Sequence, residues 1–158
     1  MKVVIIMGSK ADLEYGKEIA DKLKLFRIES ELRIASAHKT PEHVLEIIKR
    51  YEKEDVVFVT VAGRSNALSG FVDANTTKPV IASPPYSEKF AGVDIFSSIR
   101  MPSGVAPMLV LEAENTALAV AKIFGLKSEI VRRAVEEYQR KKKEEIIKAD
   151  GEVADGER

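Results

Sequence analysis

The sequence lacks several residue types that particular chemistries need. It has 158 residues, no cysteine and two histidines, so disulfides, thiolate nucleophiles and cysteine-based zinc sites are excluded. Aromatic residues make up only 6%, which disfavours a flavin site framed by aromatic rings. The 25 basic and 25 acidic residues cancel, so neither nucleic acid nor an anionic membrane is predicted as the main partner.

The chain also lacks a long hydrophobic run. The apolar segment at residues 3–7 is too short for a signal peptide or a membrane span, and we therefore expect a cytoplasmic protein. The length fits one domain, which we predict over residues 1–149. Residues 150–158 are predicted to form a frayed tail.

What the sequence does contain is an alternation of apolar β-type runs and helical stripes. Strands are predicted at 3–7, 28–35, 56–62, 80–82 and 106–111, and helices at 12–25, 41–53, 66–75, 94–100, 115–124 and 128–149. Such alternation predicts a three-layer α/β/α fold with a parallel sheet covered on both faces. Five strands favour the flavodoxin-like order 2-1-3-4-5, in which ligands bind at the carboxyl ends of the strands.

Three polar loops follow the first three predicted strands, at residues 8–9, 36–39 and 63–66. We expect them to meet at one edge of the sheet. The first loop leads into a helix N-terminus and could bind phosphate through backbone amides and a hydroxyl, or could be an ordinary turn capped by Ser9 or Asp12. The third loop has the composition of an anion nest, meaning a concave run of backbone N–H groups, although its small residues could equally serve helix–sheet packing.

His38 is the better placed of the two histidines, because it lies between Ser36 and Lys39 at a strand end. A neutral imidazole can carry a proton at neutral pH, and Lys39 would favour the neutral form. The alternative is a histidine with no catalytic role. His43 falls inside a predicted helix, and we expect it to be solvated.

Two further segments have open interpretations. The proline-containing apolar stretch that includes residues 101–104 could exclude water from a flat heterocycle, bury itself against another subunit, or do both. The run of three lysines and two glutamates at 141–145 is predicted to be a solvated helix face with opposite charges at helical spacing.

Three motifs together carry a family resemblance. Met-Gly-Ser-x-x-Asp at 7–12, Ser-Ala-His-Lys-Thr-Pro at 36–41 and Met-Pro-Ser-Gly-Val at 101–105 occur in this order. With these motifs the chain resembles the 5-aminoimidazole ribonucleotide (AIR) carboxylases of purine biosynthesis, from Val3 to about Gly125. The resemblance implies an enzyme that makes 4-carboxy-5-aminoimidazole ribonucleotide.

The loop after the third strand separates two branches of that family. Bacterial mutases, which move a carboxyl group from N5-carboxyaminoimidazole ribonucleotide, carry Ala-Gly-Gly-Ala-Ala-His-Leu-Pro-Gly there. In residues 62–70 of this chain, Ala67 replaces that histidine and Ser69 replaces the proline, while Lys39 stands where the mutases usually have arginine. The chain therefore resembles the animal-like branch, which is expected to use carbon dioxide directly. Segments 83–85 and 97–104 also follow this branch.

The resemblance implies a role for each residue of the predicted site. His38 would be the general base that removes the proton from ring carbon C4. The residues expected to hold phosphate and ribose are Ser9, Asp12, Ser36 and Lys39, and those expected to line the ring and carboxylate site are Gly63 and Ser65. The family often has serine where this chain has Ala11, so one phosphate hydrogen bond would be missing or supplied by Lys10. No ATP, biotin or metal is implied.

The resemblance also implies a homo-oligomer, a tetramer or octamer, acting on a small molecule. Two other functions remain open from the residues. A mutase would share the fold and the product. A non-catalytic flavodoxin-like binding module is the other, but a receiver domain would need acidic residues after strands 1 and 3, where this chain has Gly8-Ser9 and Gly63-Arg64.

Overall fold

A five-stranded parallel sheet forms the centre of the protein in a computed structural model that describes residues 1–156. The strand order β2-β1-β3-β4-β5 confirms the predicted order. The strands are β1 (Lys2–Met7), β2 (Ser30–Ile34), β3 (Val56–Val61), β4 (Val80–Ala82) and β5 (Met108–Leu109). All neighbouring pairs run parallel, so the loops that follow β1, β2 and β3 leave the sheet at the same edge.

Helices cover both faces of the sheet, as predicted. They are α1 (Leu13–Lys24), α2 (Pro41–Arg50), α3 (Leu68–Asp73), α4 (Phe96–Ile99), α5 (Ala113–Gly125) and α6 (Glu129–Gly156). The core on one face includes Val3 and Ile5 of β1 with residues of α1, α5 and α6. The core on the other includes Val4 and Ile6 with residues of α2 and α3. Side chains alternate between faces along a strand, so β1 serves both cores.

β1 and β3 are two long strands that are buried almost throughout. Every residue of β3 is buried, and so are five of the six residues of β1. Their continuous β-branched runs follow from this position, because a central parallel strand has helices on both faces. Removing one such side chain from water contributes about 1.5–3 kcal/mol. The two strands therefore fix the bases of the first and third loops firmly.

The ends of several elements differ from the sequence prediction, and the differences at β5 and α6 have a physical reason. β5 covers two residues instead of 106–111, because Pro107 has no N–H to donate and the N–H of Ala106 donates to Oδ2 of Asp73 at 2.7 Å. α6 was expected to end near Ala149 but continues to Gly156, with a Lys148–Glu152 ion pair at helical spacing. The remainder of the predicted tail, 157–158, lies outside the described residues. No helix within residues 1–156 is both long and apolar enough to cross a membrane.

Candidate functional site

The loops after β1, β2 and β3 surround one open cavity of about 870 Å³ at the carboxyl edge of the sheet. All the residues that the sequence singled out for the site line it: Ser9, Asp12, Ser36, His38, Lys39, Gly63 and Ser65. A fourth wall, which the sequence did not predict, comes from Pro85–Phe90 and Asp94 in the segment after β4. The predicted convergence of the three loops is therefore observed.

The first loop turns sharply beside β3. The N–H of Gly8 donates to the carbonyl of Val61 at 2.9 Å, and a Cβ built at Gly8 would lie 3.4 Å from that of Ala62. The hydroxyl of Ser9 donates to Oδ2 of Asp12 at 3.0 Å. Ser9 and Asp12 both occupy N-cap positions, Ser9 before a short 3-10 helix at residues 10–12 and Asp12 before α1, but neither side chain makes a capping hydrogen bond.

The residues that line the cavity also indicate whether Lys10 could supply the phosphate hydrogen bond that a serine at position 11 would make. Ala11 lines the cavity and is exposed, whereas Lys10 is not among the lining residues in the described part of the chain. At position 11, where the family often has a serine hydroxyl, this chain therefore presents the methyl group of Ala11 to the cavity. The cavity geometry does not favour Lys10 as its replacement.

The second loop, residues 36–40, is a compact turn. The N–H of Thr40 donates to the carbonyl of Ser36 at 2.8 Å, the hydroxyl of Thr40 accepts the N–H of Ser36 at 3.0 Å, and the hydroxyl of Ser36 accepts the N–H of Lys39 at 3.3 Å. His38 and Lys39 lie at its exposed tip. In residues 1–156 neither of their side chains has a hydrogen-bond or ion-pair partner, so both can reach a ligand. His43 is exposed, with Nδ1 3.2 Å from Glu46, which confirms that it is solvated.

The third loop contains a residue in the left-handed region. Arg64 has φ of 59°, and its N–H donates to Oδ2 of Asp94 at 2.8 Å. Its guanidinium lies 5.7 Å from the ring centroid of Phe90, a cation–π contact with the fourth wall. The N–H groups of Gly63 and Ser65 have no protein acceptor within the described residues. In the described chain, the N–H groups of Gly63 and Ser65 are thus free, whereas the N–H of Arg64 between them is hydrogen-bonded to Asp94.

Asn66 fastens the third loop to the segment that carries α4. Its N–H donates to Ser97 Oγ at 3.0 Å, its side-chain amide donates to Ser98 Oγ at 2.8 Å, and its Oδ1 accepts the N–H of Ser69 at 3.2 Å. The residue is only 5% exposed. Since burying an amide is unfavourable unless it is hydrogen-bonded, these contacts fix the loop strongly.

Tyr15 of α1 also lines the cavity, which the sequence analysis did not predict. Its hydroxyl lies 3.1 Å from that of Ser83, which lies 2.7 Å from that of Thr116. Burial raises the pKa of Tyr15, with the Ser83 hydrogen bond acting in the opposite direction. The side chain is therefore neutral at neutral pH and donates or accepts a hydrogen bond without charge.

The apolar stretch at residues 101–104 does not line this cavity in the described chain. Met101 packs on α3 instead, with Sδ 3.0 Å from a Cβ built at Gly70. A glycine at position 70 is what allows this approach. Among residues 1–156, no group of three or more histidine, cysteine or acidic side chains is placed to hold a metal ion.

An open parallel sheet with a polar cavity at its strand ends defines a class of α/β protein that binds small ligands at that edge. Free amides, a lysine and an unpartnered histidine in the cavity suit an anionic ligand. The family model described as AIR carboxylase matches residues 2–145. The chain belongs to the AIR carboxylase family.

Individual relatives agree with this assignment. A protein of Archaeoglobus fulgidus named phosphoribosylaminoimidazole carboxylase is 77% identical over 153 residues, which cover 97% of this chain and 85% of that protein. The mouse bifunctional phosphoribosylaminoimidazole carboxylase/phosphoribosylaminoimidazole succinocarboxamide synthetase is 42% identical over 132 residues, 82% of this chain and 31% of that protein. The crystal structure of Treponema denticola PurE matches with a TM-score of 0.93 and 48% identity, over 96% of this chain and 97% of that one.

Proposed function

We propose that this chain is a phosphoribosylaminoimidazole carboxylase of purine biosynthesis, which joins carbon dioxide to 5-aminoimidazole ribonucleotide without ATP or biotin. The observation that carries the proposal is that the seven predicted site residues, from three separate loops, line one cavity. The names of the relatives support the same activity.

The reaction needs little from the protein beyond positioning and one base. The substrate is an enamine whose ring carbon C4 is already nucleophilic. C4 forms a bond to the carbon of carbon dioxide, one C=O electron pair moves to oxygen, and the ring becomes cationic. Loss of the C4 proton returns the C–H electron pair to the ring and restores aromaticity. Holding the gas against C4 is catalysis by proximity.

His38 is the group proposed to take that proton. Its ring lies at the exposed tip of the loop at residues 36–40, which hydrogen bonds between Ser36 and Thr40 hold in a compact turn. Within the described residues, neither ring nitrogen of His38 has a hydrogen-bond partner. Neutral imidazole is a base of suitable strength near neutral pH. In the reverse reaction the imidazolium would return the proton to C4.

Different lining residues suit different parts of the substrate. Lys39 with the hydroxyls of Ser9 and Ser36 is proposed to hold the phosphate, and Asp12 the ribose hydroxyls. The free amides of Gly63 and Ser65 are proposed to face the ring and the new carboxylate. His38 lines the same cavity.

The test is carboxylation of 5-aminoimidazole ribonucleotide at elevated dissolved carbon dioxide without ATP, followed by the absorbance of the 4-carboxylated product. Rapid enzyme-dependent product formation is the expected result. Failure there, together with conversion of freshly made N5-carboxyaminoimidazole ribonucleotide, would identify a mutase instead. Inactivity with both substrates would refute the carboxylase proposal altogether.

We also propose that the protein is a cytoplasmic homo-oligomer, a tetramer or octamer. Large apolar side chains on and beside the fourth wall support self-association, since Tyr86 is 76% and Phe96 68% exposed. Sedimentation velocity at several protein concentrations would measure the assembly size. A monomer at micromolar concentration would refute this part of the proposal.

A further inference from the structure

Asp94 contacts the loop after β3 in a way that none of the proposed roles uses. Its Oδ2 accepts the N–H of Arg64 at 2.8 Å, across thirty positions of sequence, and lies 3.1 Å from a Cβ built at Gly63. We propose that Asp94 is a positioning residue, whose carboxylate holds this loop so that the amides of Gly63 and Ser65 remain free for the carboxyl group of the substrate. The inference rests on the proposed function.

The conformation of Arg64 is the first reason. A φ of 59° is unfavourable for a residue that has a Cβ, and Arg64 is not one of the types that tolerate it best. A charge-assisted hydrogen bond from its own N–H to a carboxylate is a strong compensating interaction. Without it, we expect Arg64 to relax towards negative φ, which would rotate the peptide groups on either side.

The pattern of amide use is the second reason. Of three consecutive N–H groups at the cavity wall, Asp94 occupies only the middle one, and those of Gly63 and Ser65 have no acceptor in residues 1–156. A carboxylate ligand has two oxygens and can accept from two amides. Asp94 therefore fixes the loop through the one amide that this ligand does not need.

The position of Asp94 is itself fixed, which is the third reason. The hydroxyl of Ser97 donates to the carbonyl of Asp94 at 2.7 Å and accepts the N–H of Asn66 at 3.0 Å. Asn66 also donates to Ser98 at 2.8 Å. Because further hydrogen bonds join the segment that carries Asp94 to the loop that carries Arg64, the position of Asp94 can determine the conformation of that loop.

The test compares Asp94→Ala with Asp94→Asn, in which the amide oxygen can still accept the Arg64 N–H. We expect Asp94→Ala to lower kcat by about 10- to 100-fold, since small displacements of positioning groups have effects of that order. KM for the ribonucleotide should change little, because the loops at 9–12 and 36–39 are untouched. Asp94→Asn should recover most of kcat. An alanine variant with unchanged kcat, or an asparagine variant as slow as alanine, would overturn the proposal.

Asp73→Ala is the matched control. Asp73 Oδ2 also accepts a distant backbone N–H, that of Ala106 at 2.7 Å, but Asp73 does not line the cavity. Asp73→Ala should lower the midpoint temperature of thermal unfolding, as we expect Asp94→Ala to do, and should leave kcat nearly unchanged. An equal loss of kcat in both variants would show a general effect of stability and refute a positioning role.

Amide hydrogen exchange gives a readout that does not depend on activity. The Arg64 N–H should be protected in the wild-type chain and in Asp73→Ala, exposed in Asp94→Ala, and protected again in Asp94→Asn. An unprotected Arg64 amide in the wild-type chain would overturn the inference whatever the enzyme does. Protection as expected, in a protein with no carboxylase activity, would refute only the proposed function.

Discussion

The hydroxyl of Ser9 donates its single proton to Oδ2 of Asp12 at 3.0 Å. Ser9 therefore cannot donate that proton to a phosphate at the same time, and its proposed role requires Asp12 to release it. The two residues form a hydrogen-bonded pair in the lining of the cavity. Binding of the substrate would exchange one acceptor of the Ser9 proton for another.

This coupling predicts a non-additive double-mutant cycle. We expect Ser9→Ala and Asp12→Asn each to lower kcat/KM by about tenfold, as the loss of a hydrogen bond to a charged group does. The double variant should lose clearly less than the product of the two, because residues in one hydrogen-bond network are coupled. Steady-state kinetics of the four proteins measures the coupling. Strict additivity would show that the two side chains act independently.

The second prediction concerns the proposed base. His38→Asn should bind the ribonucleotide but lower kcat by about a hundredfold or more, the usual contribution of general acid–base catalysis. His43→Asn is the control, since His43 is exposed on α2 and bonds only with Glu46 in the described chain. It should keep its activity. Full turnover in His38→Asn would remove His38 from the mechanism.

The third prediction separates charge from shape at Lys39. Lys39→Met should raise KM for the ribonucleotide by about tenfold or more, because a charge-assisted contact to phosphate is lost. Lys39→Arg keeps the charge and should stay within a few-fold of wild type. The kcat should move less than KM in both variants. Equal KM values for the methionine variant and wild type would exclude Lys39 from phosphate binding.

The fourth prediction is a pH dependence of stability at the contact between α5 and α6. Tyr138 donates a hydrogen bond to Glu114, which lowers the pKa of Glu114 below its usual 4.5, and Lys142 acts in the same direction. The stabilisation is then present above the unfolded pKa and is lost as pH falls through the lower folded value. Tyr138→Phe should thus be less stable than wild type near neutral pH.

The difference in free energy of unfolding between wild type and Tyr138→Phe should shrink as pH falls from about 6 to about 3. Urea unfolding at several pH values measures it. A control at Tyr86→Phe, where the ring is 76% exposed, should show no such dependence. A difference that stayed constant with pH would mean that Glu114 does not contribute through its charge.

The fold could be predicted from the sequence because its signals are local. Buried runs such as 56–62 and the breakers after them mark strands and loops, and the parallel order follows from alternation of elements. The C-terminal end of α6 was missed because its last turns are exposed on every side and carry no apolar stripe. The predicted β5 is too long because apolar residues alone do not show that Pro107 lacks an N–H. Nor do they show that the N–H of Ala106 donates to Asp73 and not to a neighbouring strand.

The candidate site likewise contains residues that could be predicted from the sequence and residues that could not. Ser9, His38 and Lys39 could be placed at the cavity because they directly follow strands whose ends meet. Asp94 could not, since its relevance depends on a contact with a residue thirty positions earlier. Tyr15 could not be placed at the cavity either, since its hydroxyl contacts that of Ser83, 68 positions later in the chain. The catalytic and binding roles themselves remain predictions.

The fourth wall of the cavity has consequences for how the protein responds to heat. Pro85–Phe90 and Asp94 belong to a segment outside the sheet, whereas the other three walls begin at β1, β2 and β3. Segments with few buried apolar contacts open at lower free energy than central strands. On warming, catalysis should therefore fade while the far-ultraviolet circular dichroism is still native, and cooling should restore it without refolding. Thermal inactivation of this protein would then begin as a reversible loss of shape on one side of the cavity, well before the chain as a whole unfolds.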